Sequence, residues 1–398
     1  MKGIATEIPI SNHPNNSVMK FQFLILYILC FFVQSFAGEG IFAVISAKVS
    51  TNERPLLWIN RNSDTHNTDL HYFQGPQYHF MALVTDNDTT GVISGQNTAG
   101  FAVVYTTALD APQSSADNLQ TLLKRALGTC ASVKEFKALL QSAGPFNAIV
   151  GCIDHYGYGA VLEADTSGVT LFDVDDPSAA PEGFLVRQQF SMHGSGPVNR
   201  DTWCYHRAAQ LLRTRTINKS LDLAYLMQVV ARDIKSENLD PYPLPFTGQF
   251  NKAPRSFVYA GNTINSYRTT DCLVFFGYST LYHKELPGFL YIPGQPLCGA
   301  AVPLWPSSGE IPAALSGKGF TKIEHAINSI TQNIYRKSKW PEYLDSKMLT
   351  KGKNSRLQQN LNIEKEMLKK ITPLPVSDLN ALHNLQKEWA NRILRALQ

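Results

Sequence analysis

Only six cysteines occur in the 398 residues, none in C-x-x-C spacing, so neither a zinc ribbon nor a paired-thiol redox motif is written into the chain. The ten histidines are scattered, with no H-E-x-x-H and no pair four apart on one helix, which excludes the common helical zinc site. His155, His193 and His206 read as surface or core histidines. There is no G-x-S-x-G elbow and no phosphate-binding glycine loop. Asp173, Asp175 and Asp176 lack the ligand spacing of a calcium loop and read as a turn at a strand end. No metal and no cofactor is therefore expected. Charge of one sign is also missing: 36 Lys and Arg stand against 32 Asp and Glu, a net +4 too weak to imply a nucleic-acid partner. With 44% hydrophobic and 17% charged residues, the composition excludes disorder, collagen and a multi-spanning membrane protein.

One stretch breaks the globular pattern. Phe21–Val33 (FQFLILYILCFFV) is continuously apolar, yet far shorter than the roughly 20 residues that span a bilayer. It follows Met19-Lys20 and precedes the small-x-small site Ser35-Phe36-Ala37, the anatomy of a secretory signal. Residues 1–37 are thus expected to be an upstream extension and signal, the exported chain starting at Gly38 with no lasting membrane span. That chain keeps Cys130, Cys152, Cys204, Cys272 and Cys298, each in an apolar stretch and expected to be a buried small hydrophobe. Oligomeric state is not readable.

From Ile41 to about Trp305, strands alternate with a few helices. Ile41–Lys48 and Pro55–Arg61 flank the polar turn Ser50-Thr51-Asn52-Glu53, a hairpin signal. Further strands are expected at 79–85, 101–107, 148–154, 159–163, 169–174, 183–187, 256–259, 271–276, 289–292 and 299–304. Ser132-Val133-Lys134-Glu135 is a capping box opening a helix that stops at Gly144-Pro145. Helical spacing also marks 118–127, 201–213 and 221–235. Blocks of strands bracketed by helices predict a layered α+β sandwich over 38–310. Residues 311–398 read as a basic helical region: from 320 onward, 14 Lys and Arg face 7 Asp and Glu. Their even interleaving with apolar residues suits helices clasping the main domain.

The stretch Gly40-Ile41-Phe42-Ala43-Val44-Ile45-Ser46-Ala47-Lys48, a turn, then Arg54-Pro55-Leu56-Leu57-Trp58-Ile59-Asn60-Arg61-Asn62-Ser63-Asp64 resembles the N-terminal nucleophile hydrolases that cleave linear amide C–N bonds. That group holds the choloylglycine hydrolases and the isopenicillin N acyltransferase-like proteins. The resemblance continues through Gly95-Gln96-Asn97-Thr98-Ala99-Gly100-Phe101, Phe172-Asp173-Val174-Asp175-Asp176-Pro177, Gly183-Phe184-Leu185-Val186-Arg187 and Ala301-Val302-Pro303-Leu304-Trp305, in the family's order over about 41–305. It implies a four-layer αββα sandwich, here with extra C-terminal helices.

The resemblance also implies a site. The family's nucleophile is the first residue of the processed chain, normally Cys, with its own α-amine as base. Asn side chains and backbone N–H groups receive the oxyanion, while Arg and Asp hold the amine and substrate. Here Gly40 occupies the nucleophile position and has no side chain. Arg61 is retained and could pair with a carboxylate; Asn62 stands where close relatives carry Asp, though Arg61-Asn62-Ser63-Asp64 keeps an R-N-x-D pattern. Tyr105-Thr106-Thr107 falls where an oxyanion Asn is expected, with Thr107 the candidate contact, and Gln189 replaces a second Asn. Arg268 matches a substrate-contacting Arg. The expected catalytic positions are therefore Gly40, Arg61, Asp64 and Gln189, and the binding positions Asn62, Thr107 and Arg268. This pattern predicts an exported pseudoenzyme that binds a small amide or carboxylate. The alternative is an active amidohydrolase or acyltransferase using an atypical nucleophile such as Ser46.

Overall fold

The computed structural model describes residues 39–63, 68–107, 116–144, 146–192, 202–279, 286–317, 319–335, 340–352, 355–371 and 379–398. The signal segment, Asp64 and His193 lie outside the described residues.

The hairpin signal near the start of the exported chain is met by β1 (Glu39–Ile45) and β2 (Leu56–Asn62), paired antiparallel from Glu39↔Asn62 to Ile45↔Leu56. Both run apolar without alternation because both faces of their sheet are covered. The expected first strand ends earlier than its apolar run. Ser46 accepts the backbone N–H of Lys48 at 3.0 Å and caps a 3-10 turn over Ala47–Val49. The next elements are β3 (Thr68–Phe73), β4 (Phe80–Thr85), β5 (Ser94–Asn97) and β6 (Ala102–Thr107). Helices α1 (Ala116–Thr129) and α2 (Val133–Ser142) follow, and the capping box of Ser132 and Glu135 is formed at the start of α2. Then come β7 (Ala148–Ile153), β8 (Gly159–Asp165), β9 (Gly168–Asp173), β10 (Phe184–Arg187) and α3 (Trp203–Thr216). After β11 (Phe257–Tyr259), β12 (Thr269–Phe276), β13 (Gly288–Pro293) and β14 (Val302–Leu304), the chain turns helical. It forms α4 (Lys322–Tyr335), β15 (Tyr343–Asp345), α5 (Arg356–Ile371) and α6 (Leu379–Leu397).

One sheet has the order β10-β1-β2-β12-β13-β14, the other β3-β4-β5-β6-β7-β8-β9, and a small ribbon joins β11 to β15. The two large sheets face each other, β1 packing on β6, β7 and β8, and β2 on β7. Helices α1 and α2 cover the outer face of the seven-stranded sheet, while α3, α4 and α6 reach strands of the six-stranded one. The fold is an αββα sandwich. Between its sheets Phe42, Leu57, Phe275 and Phe289 are fully buried, while Phe101 and Phe136 pack under α2 on the outer face of the seven-stranded sheet.

Three strands, β3, β5 and β15, escape a reading of the sequence. β5 (S-G-Q-N) looks like a loop, yet it is buried because its amides donate across the core. Gln96 donates to the Phe276 carbonyl at 3.1 Å, and Asn97 to the carbonyls of Leu127 and Cys130 at 2.9 and 2.7 Å. β3 (T-D-L-H-Y-F) mixes charge with aromatics and so lacks the apolar run of its neighbours. The helix expected over 221–235 is a correction: only Leu223–Tyr225 is α-helical, continuing as a π turn over Leu226–Val230. The chain then leaves the helix. Arg232 is spent on the carbonyls of Met227, Pro296 and Gly299 and on Glu364 of α5 at 2.6 Å. Glu364 also accepts the Ala301 N–H at 2.9 Å. This buried pair ties the C-terminal helices to the loop before β14, so they share the sandwich's core. The five cysteines from Cys130 onward are all buried. No helix among the described residues is long and apolar enough to cross a membrane.

Candidate active site

Strand alternation sorts the residues at one end of the sandwich. Gly40 pairs with Arg61, and Arg61 with Asp271 on β12, so these three share the face that looks toward the other sheet. A register shift between Thr269 and Asp271 leaves Thr270 as an extra residue in the strand. Arg61 lies under Gly40 and is only 3% exposed. Its guanidinium meets the Asp271 carboxylate through Nη2 at 2.6 Å and Nε at 3.2 Å. Thr270 adds a weak contact at 3.4 Å, and Thr68, from the facing sheet, donates to Asp271 at 3.5 Å. Burial alone would pull the guanidinium's pKa down, but the charge and hydrogen bonds of Asp271 outweigh it and hold it above its ordinary value. Arg61 does pair with a carboxylate, but with one from its own sheet.

Gly40 itself is built into the strand. Its φ is +155°, and a Cβ added there would stand 2.5 Å from the Asn60 carbonyl oxygen and 3.2 Å from the Arg61 Cα. Both neighbours are backbone, so no rotamer relieves the clash. Two strand residues' worth of chain, Gly38 and Glu39, would still precede it after cleavage behind Ala37.

On the other side of β1, Phe42 pairs with Arg187 of β10. The ladder ends at that pair, two residues before Gln189. The Gln189 Nε2 is buried without a hydrogen-bond partner, as is the Gln188 Oε1. Just before it, Arg187 is held at 2.8 Å by Glu163, which also accepts Ser191 Oγ at 2.5 Å and the Met192 N–H at 3.0 Å. Gln189 thus sits on a backbone pinned at both ends.

The other expected residues are dispersed. Asn62 accepts the Thr269 hydroxyl at 2.9 Å on the helix-covered face of the sheet. Arg268 is half-buried, its N–H donating to Ser266 and its carbonyl accepting the Ser63 N–H. Thr107 ends β6 on the same face as Tyr105, whose hydroxyl accepts from Gln120 of α1 at 3.1 Å. That face points away from the other sheet, so Thr106 is the inward residue. Ser46, the alternative nucleophile, is 1% exposed, and its hydroxyl donates to Asp175 in a short hydrogen bond. Its backbone N–H is bonded to the Gly183 carbonyl, and β1, which ends just before it, lies between β10 and β2.

Asp271 and Glu324 escaped notice in the sequence. The only hint of Asp271 was an acid opening an otherwise apolar strand, D-C-L-V-F-F. Glu324 forms a capping box with Thr321, whose hydroxyl accepts the Glu324 N–H at 3.2 Å, a T-x-x-E pattern that was readable. Burial first, then the charges of Asp271 and Asp69, push the Glu324 carboxyl up to about 8 against the pull of the Thr321 N–H and Arg61.

Residues 50–175 match the family model described as acyl-coenzyme A:6-aminopenicillanic acid acyl-transferase. Over that segment the chain is similar to this acyltransferase family, and Gly40 lies upstream of the matched residues. No curated protein sequence matches it. Among solved structures it is similar to a Caenorhabditis elegans N-acylethanolamine-hydrolyzing acid amidase ortholog, with 15% identity over 59% of this chain and 91% of that one, TM-score 0.38. A variant of the conjugated bile acid hydrolase from Clostridium perfringens gives 13% identity over 64% and 89%, TM-score 0.40. Penicillin V acylase from Agrobacterium tumefaciens gives 14% over 64% and 86%, TM-score 0.36.

Proposed function

We propose that this N-terminal nucleophile hydrolase relative is an exported protein that binds a linear amide without cleaving it. The observation that carries the reading is Gly40. The position that supplies a thiol in the family has no side chain, and its backbone leaves no space for one. The loss of a nucleophile alone costs several orders of magnitude in rate, since the remaining donors leave only residual catalysis. Arg61 below it is neutralised by Asp271, so it supplies no free charge for a ligand carboxylate. The buried, unpaired Gln189 Nε2 is instead a donor for a neutral carbonyl, which favours an amide over an acid. A buried unpaired N–H costs about 1–3 kcal/mol, and a bound carbonyl oxygen would recover part of that.

The test is to purify the protein from the exterior of expressing cells, sequence its N-terminus, and incubate it with N-acyl amides of graded chain length. The expected results are a start at Gly38, saturable binding, no product, and no covalent adduct by mass spectrometry. Gln189→Leu should weaken binding up to about tenfold, the value of one hydrogen bond. Steady amide turnover, or an acyl group on any first residue, overturns the reading. A start at Ser46 with activity abolished by Ser46→Ala would establish the alternative enzyme.

A further inference from the structure

Under α4, close to the Arg61–Asp271 pair, the sheet does not close completely; Thr270 lines the gap and takes the weak 3.4 Å contact from Arg61 Nη2. Gly294, Gln295, Thr269, Thr270, Glu324 and Thr331 contribute to a small, mostly enclosed cavity. It has room for a single water-sized body, about 20 Å³ measured at the body's centre. Gly294 (φ +121°) keeps the space as it is, because a Cβ there would strike Ile327 of α4 at 2.7 Å.

The lining is oxygen-rich and short of positive charge. Gln295 is 3% exposed; its Nε2 is used on the Ser266 carbonyl at 2.8 Å, which leaves its Oε1 without a partner. Glu324 is 6% exposed, with one carboxylate oxygen accepting the Thr321 N–H at 3.3 Å. The Thr331 hydroxyl donates to the Ile327 carbonyl at 2.8 Å and so turns lone pairs outward from that bond. No Lys or Arg lines the cavity. An orphaned buried amide oxygen calls for a donor or a cation.

We propose that this cavity binds a monovalent cation of about the size of water, held by the Gln295 Oε1, the Glu324 carboxylate and the threonine oxygens. The lining itself selects among cations. Zinc, copper and nickel want imidazole or thiolate, and no histidine or cysteine lines the space. Calcium takes six to eight oxygens, commonly with several carboxylates, and here there is one carboxylate and little room. Neutral oxygens with a single negative charge suit potassium, whose hydration shell such oxygens can replace, or ammonium, which donates to them. Phe320 and Tyr267 add aromatic walls, which favour a cation further.

The charged groups acting on Glu324 are Asp271 from β12, Asp69 from β3 and Arg61 from β2, two negative against one positive, so the surroundings favour a cation.

The experiment is thermal unfolding of the full chain in potassium chloride, ammonium chloride and tetramethylammonium chloride at equal ionic strength, between pH 6 and 9. Tetramethylammonium is too large to enter. Potassium or ammonium should raise Tm above the tetramethylammonium value, and the stronger of the two identifies the ion. Glu324→Gln preserves the capping box, in which Gln is accepted, and should abolish the salt-specific shift. Thr331→Val should reduce it. If the three salts act alike at every pH, or if Glu324→Gln keeps the full difference, no cation binds here.

Discussion

Replacing Asp271 by Ala isolates one buried charge under the position a nucleophile would fill. Both partners are almost completely withdrawn from water, the side chains of Arg61 and Asp271 being 3% and 0% exposed. With charge centres about 4 Å apart and an effective dielectric constant of about 20, their attraction is about 4 kcal/mol. Desolvation of two ions offsets most of that, so the intact pair contributes little net stability. Removing one partner is different, because the guanidinium keeps its desolvation cost and loses its two short hydrogen bonds. Asp271→Ala should therefore destabilise by about 3–5 kcal/mol, and Asp271→Asn by less, since an amide oxygen still accepts one bond. The double variant Arg61→Met with Asp271→Leu should recover most of the loss, the space then being filled by apolar groups. Urea unfolding of the four proteins gives these differences directly. A cost below about 1 kcal/mol for Asp271→Ala would refute the reasoning, because Arg61 would then have another partner or access to water.

Three further outcomes follow from the same geometry. Gly40→Ala should destabilise by roughly 1–3 kcal/mol, since its Cβ meets backbone on both sides and φ is positive; Gly40→Cys should do the same without starting amide hydrolysis, and a neutral Gly40→Ala in chemical denaturation would show that the strand relaxes. Glu324 is held at about 8 in the folded chain against 4.5 for the free side chain, so the folded state binds its proton more tightly. Its contribution is complete below about pH 4.5 and is lost as pH rises toward 8; in tetramethylammonium salt Glu324→Gln should flatten that slope in unfolding curves. Glu364→Ala leaves Arg232 buried and the Ala301 N–H unpaired, which should cost about 3–5 kcal/mol and open the C-terminal helices to limited proteolysis before the sandwich unfolds.

Much of the sandwich was legible along the chain. Apolar runs marked β1, β2, β7, β8, β12 and β13 because those strands are covered on both faces and need no alternation. The capping box at Ser132 was readable because it is local chemistry, contained within four residues. The π turn and the early exit at Arg232 were not, because their partners, Glu364 and the carbonyls of Pro296 and Gly299, lie 60 to 130 residues away. β5 was hidden for the same reason: polar side chains are buried where distant carbonyls accept from them.

At the candidate site the division is sharper. By itself the sequence determined that position 40 carries no nucleophilic atom, that an arginine stands at 61, and that glutamine stands at 189, because a side chain's chemistry is a property of its residue. Only the tertiary structure decided what those residues can do. It gave the Arg61 charge to Asp271 across a bulged strand, left the Gln189 donor unpaired, turned Thr107 away, and closed Ser46 against Asp175. Charge neutralisation and hydrogen-bond satisfaction depend on distance and burial, and those are fixed when the strands pair and the sheets pack.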